Sequence, residues 1–128
     1  MQLFKISTWG FCTTTDQQGV ARTEDIKNAM VQYGPIGTGV AAGSDWDNVG
    51  PGSVISGRST NIDHDVVLVG WDDSKGNGGA WIMRNSWGTG WGDLGYAFIA
   101  YGADSVGSEA IWCAANVVLP PMISWILG

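Results

Sequence analysis

The chain is expected to adopt an α+β fold that is mostly β, with one main helix against an antiparallel, barrel-like sheet of about five or six strands. Three observations point there. Only residues 23–34 place apolar side chains at helical spacing. The remainder breaks into short runs rich in β-branched and aromatic residues, each closed by Gly, Pro, Asn or Asp. Glycine supplies 20 and tryptophan 8 of the 128 residues, which suits tight turns and bulky packing.

The elements follow in order. "LFKISTWGF" (3–11) reads as the first strand and runs into the polar loop "CTTTDQQGVAR" (12–22). "TEDIKNAMVQYG" (23–34) is the helix. Thr23 is placed to cap it, Glu24 and Asp25 sit at its positive end, and Gly34-Pro35 ends it. Ile26, Ala29, Met30 and Tyr33 share one face, so the helix should lie on an apolar surface. "PIGTGVAAG" (35–43) reads as a strand, and residues 43–61 as a loop rich in Gly and Asp. "HDVVLVGWDD" (64–73) is a nearly continuous apolar strand. The turn chemistry of "DDSKGNGG" (72–79) should pair it as a hairpin with "AWIMRNSW" (80–87). "GYAFIAYG" (95–102) and "EAIWCAANVVL" (109–119) complete the strands, and no internal repeat is visible.

Composition bounds what such a fold could do. A length of 128 residues suits one domain, assigned to residues 1–119, and 45% hydrophobic against 14% charged residues describes a globular chain. The net charge of −6 excludes a nucleic-acid partner, because the six basic residues are scattered singly and form no patch. "MQLFKISTWGF" lacks the charged start and long apolar core of a signal peptide, and no apolar run is long enough for a transmembrane span. Residues 120–128, "PPMISWILG", form an apolar tail. It would either strap across the domain's own surface or contact another chain or a membrane surface. Cys12 and Cys113 are compatible with one disulfide or with two free buried thiols. One His and two distant Cys make a zinc site improbable, and neither a metal nor another cofactor is expected.

The chemistry concentrates at His64, the single histidine, and Asn85. A histidine acting as a base must be held in one tautomer and orientation, and a neutral amide oxygen accepting its ring N–H does this without adding charge. His64 lies eight residues before Asp72 and Asn85 five after Ala80, so a hairpin closed at residues 72–79 brings them to the same end. Trp87 and Trp91 are placed to shield that contact from water. Two weaker matches fail. "GWGDLG" (90–95) has G-x-G-x-x-G spacing, but a strand rather than a helix follows it. In "DDSKGNGG" the position where a calcium loop needs a bidentate Glu is Met83.

"NSWGTGWGDLGY" (85–96), preceded by "AWIMR" (80–84) and "DHDVVLVGWDD" (63–73), resembles the C-terminal half of a papain-like cysteine peptidase. "AMVQYGPIGTGVAA" (29–42) fits the helix-to-strand step of that family, so the likeness covers roughly residues 1–115. The resemblance implies the β-rich, right-hand domain of the papain-like fold. It implies His64 as general base and acid, Asn85 as its orienting partner, and Trp87 as the cover of that contact on the leaving-group side. It also suggests a secretory, vacuolar or lumenal setting.

Two departures qualify the resemblance. The family's nucleophilic Cys and oxyanion Gln lie in a Gln-Gly-x-Cys-Gly-Ser-Cys-Trp stretch that these residues do not contain. Gln18-Gly19 begins a similar string, but the nucleophile's place falls on Glu24, and a carboxylate cannot replace a thiolate. Cys12 and Cys113 do not match the nucleophile and are read as buried and structural. Asp65 stands where the family usually has a small apolar residue. Alternation should turn it away from His64, and by the resemblance it borders the main specificity pocket. Two functions follow as expectations. One is the His/Asn-bearing half of a cysteine endopeptidase, inactive alone, whose nucleophile comes from a second polypeptide covering the His64/Asn85 face. The other is a non-catalytic relative serving as a binding or structural subunit of a larger assembly.

Overall fold

A computed structural model describes residues 3–13 and 19–118. The apolar tail therefore lies outside the described residues. In chain order the elements are β1 (Leu3–Phe11), α1 (Thr23–Tyr33), β2 (Ile36–Val40), β3 (Val54–Ile55), β4 (His64–Asp72), β5 (Ala80–Arg84), β6 (Tyr96–Ala100) and β7 (Ser108–Val118). Short 3-10 turns occupy Ser44–Trp46 and Ala103–Ser105. Among the described residues the strands form one sheet in the order β1-β7-β2-β4-β5-β6-β3. Every pairing is antiparallel except β3 with β6. The expected mostly-β architecture with one helix is present, but the sheet is open rather than a closed barrel, with β1 and β3 as its edges.

Two local expectations need correction. Seven strands form instead of five or six, because two residues of the 43–61 loop, Val54 and Ile55, pair with Phe98 and Ile99. Thr23 does not cap α1. It is the first helical residue, Arg22 holds the cap position, and no side chain makes a cap hydrogen bond. Instead Arg22 Nε forms an ion pair with Asp25 Oδ2 at 2.9 Å, beside the helix's positive end. Of the two states left open for the cysteines, the free one is present: Cys12 is a buried and Cys113 a half-buried free thiol. The β1–β7 register puts Trp9 opposite Cys113, leaving Cys12 beyond Phe11 and out of reach.

Helix α1 buries Ile26, Ala29 and Met30, which is the face its spacing marks out. Burial of each of the two larger side chains contributes about 1.5–3 kcal/mol. Tyr33, half-buried, stacks on Trp112 of β7 with ring centroids 3.8 Å apart. At the other end Lys27 Nζ reaches Asp73 Oδ1 at 2.9 Å, an oxygen that also accepts the Tyr101 hydroxyl at 2.6 Å. These two partners hold the Asp73 carboxyl below its usual range, the hydroxyl foremost.

Strand β4 alternates cleanly. His64, Val66 and Leu68 face the core side, while Asp65, Val67 and Val69 face outward. Its neighbour β2 sets Val40, Thr38 and Ile36 opposite His64, Val66 and Leu68. The core-facing residues of β2 are thus large or hydrogen-bonded. On the outward side the strand offers only Gly37 and Gly39, opposite Val67 and Asp65.

Candidate active site

Asn85 follows β5 directly, and the loop after it folds back to hold it. The Asn85 N–H donates to the Gly95 carbonyl at 3.0 Å, and the Gly95 N–H donates to the Trp91 carbonyl at 2.8 Å. Such a closed loop needs left-handed backbone at Gly88, Gly92 and Gly95, with φ of 85°, 59° and 92°. At Gly92 a side chain is excluded outright, because a Cβ would collide with the Tyr96 carbonyl oxygen.

His64 Nε2 and Asn85 Oδ1 are 2.7 Å apart. The Ser86 N–H donates to the same Oδ1 at 2.8 Å, which identifies that atom as the acceptor oxygen. His64 Nε2 must then carry a proton, so in the neutral ring Nδ1 holds the lone pair. No hydrogen bond to Nδ1 occurs among the described residues. Asn85 is buried, and its Nδ2 has no hydrogen-bond partner among those residues. An orphaned amide donor in a low-dielectric setting costs about 1–3 kcal/mol.

Aromatic rings surround this pair. Trp87 lies against the His64 ring at 5.0 Å between centroids, tilted by 31°. Trp91 is at one remove: it is buried and meets Trp87 edge-on at 5.6 Å. Sequence reasoning missed the ring that stands behind the histidine. Trp46, fully buried, meets His64 edge-on at 6.2 Å and also contacts Trp87 and Trp91. Its signal was a lone Trp in a stretch otherwise read as loop.

Two concavities flank the pair. His64 and Trp87 border a depression of about 270 Å³, together with Ser44, Asp47 and Asp63. Asn85, Ser86 and Asp65 border a larger groove of about 730 Å³ on the outward face of the sheet. The groove exists because β2 presents glycine there. A Cβ on Gly37 would press on Ile111 at 3.3 Å, and one on Gly39 would meet Ile62 at 2.9 Å. Asp65 and Glu109 bring acid to its rim and Arg84 brings a base. Asp65 therefore faces a different concavity from His64, as strand alternation requires. Among the described residues no group of three or more His, Cys, Asp or Glu side chains could hold a metal ion, and no helix is long and apolar enough to cross a membrane.

Both cysteines stand apart from this pair. Cys12, just past β1, is buried, and burial with the nearby Asp25 charge pushes its thiol up to about 11. Such a thiol is unreactive at neutral pH. Glu24 lies exposed in the first turn of α1.

Residues 5–116 match the family described as papain family cysteine protease. The chain belongs to the papain family. It is 40% identical over 88 residues to a cysteine protease of Blomia tropicalis, covering 66% of this chain and 26% of that protein. It is 38% identical over 80 residues to a cathepsin L-like protein of Caenorhabditis elegans, covering 60% and 24%. The chain thus spans about a quarter of the length of these papain-family relatives. Among solved structures, one from a study of antibody cross-reactivity between the mite allergens Blo t 1 and Der p 1 superposes with a TM-score of 0.64. It is 31% identical and covers 73% of this chain and 32% of that one. The bromelain protease of Ananas comosus, bound to the inhibitor E64, superposes with a TM-score of 0.68 over 85% of this chain and 50% of its own. At 22% identity, it supports the papain-like fold alone.

Proposed function

We propose that these residues form the His/Asn-bearing half of a cysteine endopeptidase site, whose nucleophilic thiol comes from polypeptide outside the 128 residues. The observation that carries this reading is the 2.7 Å contact between His64 Nε2 and Asn85 Oδ1, which leaves Nδ1 as the unbonded basic atom. In this reading Nδ1 takes the proton of the incoming thiol, and the thiolate attacks the substrate carbonyl. The imidazolium then returns that proton to the leaving amine. Asn85 accepts the Nε2–H throughout and keeps the ring aimed. Trp87, with Trp91 behind it, limits the access of water to the contact.

Support for a covering polypeptide comes from the groove beside Asn85. Val67 and Ile111 remain 39% and 38% exposed there, and Asn85 Nδ2 awaits an acceptor. Asp65, with Glu109 across the groove, would favour a basic substrate side chain in it.

The test compares the purified 128-residue chain with its assembly with a polypeptide carrying a Gln-Gly-x-Cys-Gly-Ser-Cys-Trp stretch. The chain alone is expected to cleave no peptide. The assembly is expected to show thiol-dependent cleavage that His64→Ala abolishes and Asn85→Ala weakens. Asp65→Asn is expected to reduce the preference for Lys or Arg substrates over uncharged ones. Hydrolysis by the chain alone, lost in His64→Ala, would overturn the external nucleophile. An assembly that binds peptides and cleaves none would make this a non-catalytic binding subunit instead.

A further inference from the structure

We propose that Asp104 is a positioning residue for His64, acting through Trp46. Asp104 is fully buried, and its two carboxylate oxygens are each occupied. Oδ2 accepts the Trp46 indole N–H at 2.9 Å, and Oδ1 accepts the Ser59 backbone N–H at 2.9 Å. Its own backbone ties two more segments together. The Asp104 N–H donates to the Gly57 carbonyl at 3.0 Å, and the Asp104 carbonyl accepts the Ala41 N–H at 2.8 Å, just past the end of β2.

The site around this carboxylate is built to hold it. Gly57 lies so close that a Cβ there would run into both carboxylate oxygens. Asp104 itself adopts left-handed backbone, φ 44° and ψ 37°, a conformation that Asp and Asn tolerate better than most residues. A buried carboxylate is costly unless its oxygens are matched by donors, and here both are matched.

What the carboxylate fixes is the wall behind His64. Trp46 meets the imidazole edge-on, with planes at 88°, and touches the rings of Trp87 and Trp91. Its backbone carbonyl also accepts the Trp91 indole N–H at 2.6 Å. Pinning the Trp46 indole N–H leaves that ring one orientation. The imidazole packed against it is then restricted to the rotation that points Nε2 at Asn85. Asp104 has no hydrogen bond to His64 or Asn85, so its influence passes through the indole.

His64 is the single histidine, so nitrogen NMR of the ¹⁵N-labelled full chain reads its tautomer without overlap. The wild-type ring is expected almost wholly protonated at Nε2. Asp104→Asn keeps the shape and tolerates the left-handed backbone, but its NH2 takes the place of one carboxylate oxygen and cannot accept, so one of the two N–H donors, Trp46 or Ser59, loses its acceptor. Loss of one such bond is expected to lower the Nε2–H to Nδ1–H tautomer ratio roughly fivefold. In a Trp46→Phe background, which has no indole N–H to lose, Asp104→Asn should leave the ratio unchanged. An unaltered ratio in Asp104→Asn overturns the proposal, and so does an equal effect in both backgrounds, which would mean general loosening. If Asp104→Asn fails to fold, Trp46→Phe alone carries the test: its tautomer ratio must fall, and an unchanged ratio sinks the idea. The catalytic meaning of this positioning rests on the peptidase reading. The tautomer measurement does not, so either can fail without the other.

Discussion

Thr38→Val should destabilise the domain far more than its small change in shape suggests. Thr38 is buried on β2, opposite Val66 and two pairs from the Val40–His64 pairing. Its Oγ1 accepts the Gly107 N–H at 2.8 Å, and its single proton has two acceptors in reach, the Gly39 carbonyl at 3.0 Å and the Ser108 carbonyl at 3.1 Å. Valine fills the same volume but can neither accept nor donate. A buried N–H stripped of its acceptor costs about 1–3 kcal/mol, and the lost bond donated by the hydroxyl adds about 1 more. The sum, about 2–4 kcal/mol, corresponds to a fall in Tm of roughly 10 °C for a domain of this size. Thr38→Ser is the control. It keeps the hydroxyl and loses one buried methyl, so its expected cost is only about 1 kcal/mol. Thermal unfolding followed by far-UV circular dichroism separates the cases. A Thr38→Val chain melting within about 1 °C of wild type, or a Thr38→Ser chain melting as low as Thr38→Val, would refute the hydrogen-bond argument.

Other expectations follow from single sites. Gly92→Ala should lower stability by at least about 1–2 kcal/mol from left-handed strain alone, with the Tyr96 carbonyl collision adding to it. Gly90→Ala, where a Cβ meets nothing within 4 Å, should be close to neutral in the same melt. Cys12, with its thiol raised to about 11, should resist iodoacetamide at pH 8 while half-buried Cys113 reacts first, as peptide mapping would reveal. Because the Cys12 value is raised above that of an unfolded thiol, its contribution to stability is complete below about pH 9. It is lost as pH rises towards about 11. Denaturant midpoints of wild type and Cys12→Ala should therefore converge across that window, and parallel curves would contradict the assignment.

Much of this architecture was legible in the residues. The helix followed from the spacing of Ile26, Ala29 and Met30, and the β4–β5 hairpin from the Gly-rich turn at 72–79, because both signals are local. The approach of His64 to Asn85 followed from that hairpin. What escaped was non-local. Val54 and Ile55 become a strand only because β6 lies alongside, and two residues carry no periodicity of their own. Trp46 and Asp104 are 58 positions apart, and nothing in either neighbourhood announces the other. The free state of Cys12 and Cys113 depends on the β1–β7 register, which no Cys spacing encodes.

The same dependence on register decides whether His64 and Asn85 can meet at all. From the turn inward, β4 and β5 pair Asp72 with Ala80, Trp71 with Trp81 and Gly70 with Ile82. Continued without interruption, that register would set Arg84 opposite Leu68 and Asn85 opposite Val67, on the outward face. The observed register instead shifts between Leu68 and Gly70, leaving Val69 as the extra residue, and beyond it Leu68 pairs with Met83 and Val67 with Arg84. Asn85 thereby comes level with Val66, on the face that His64 shares. A strand side chain changes face with each single-residue slip, so one inserted residue turns a pair on opposite faces into partners. The Gly-rich turn brings the two ends together, but the bulge puts the amide and the imidazole on the same side. Gly70 and the half-buried Ile82 beside it are where that choice is made, since a Cβ on Gly70 would press on the Ile82 side chain at 3.3 Å.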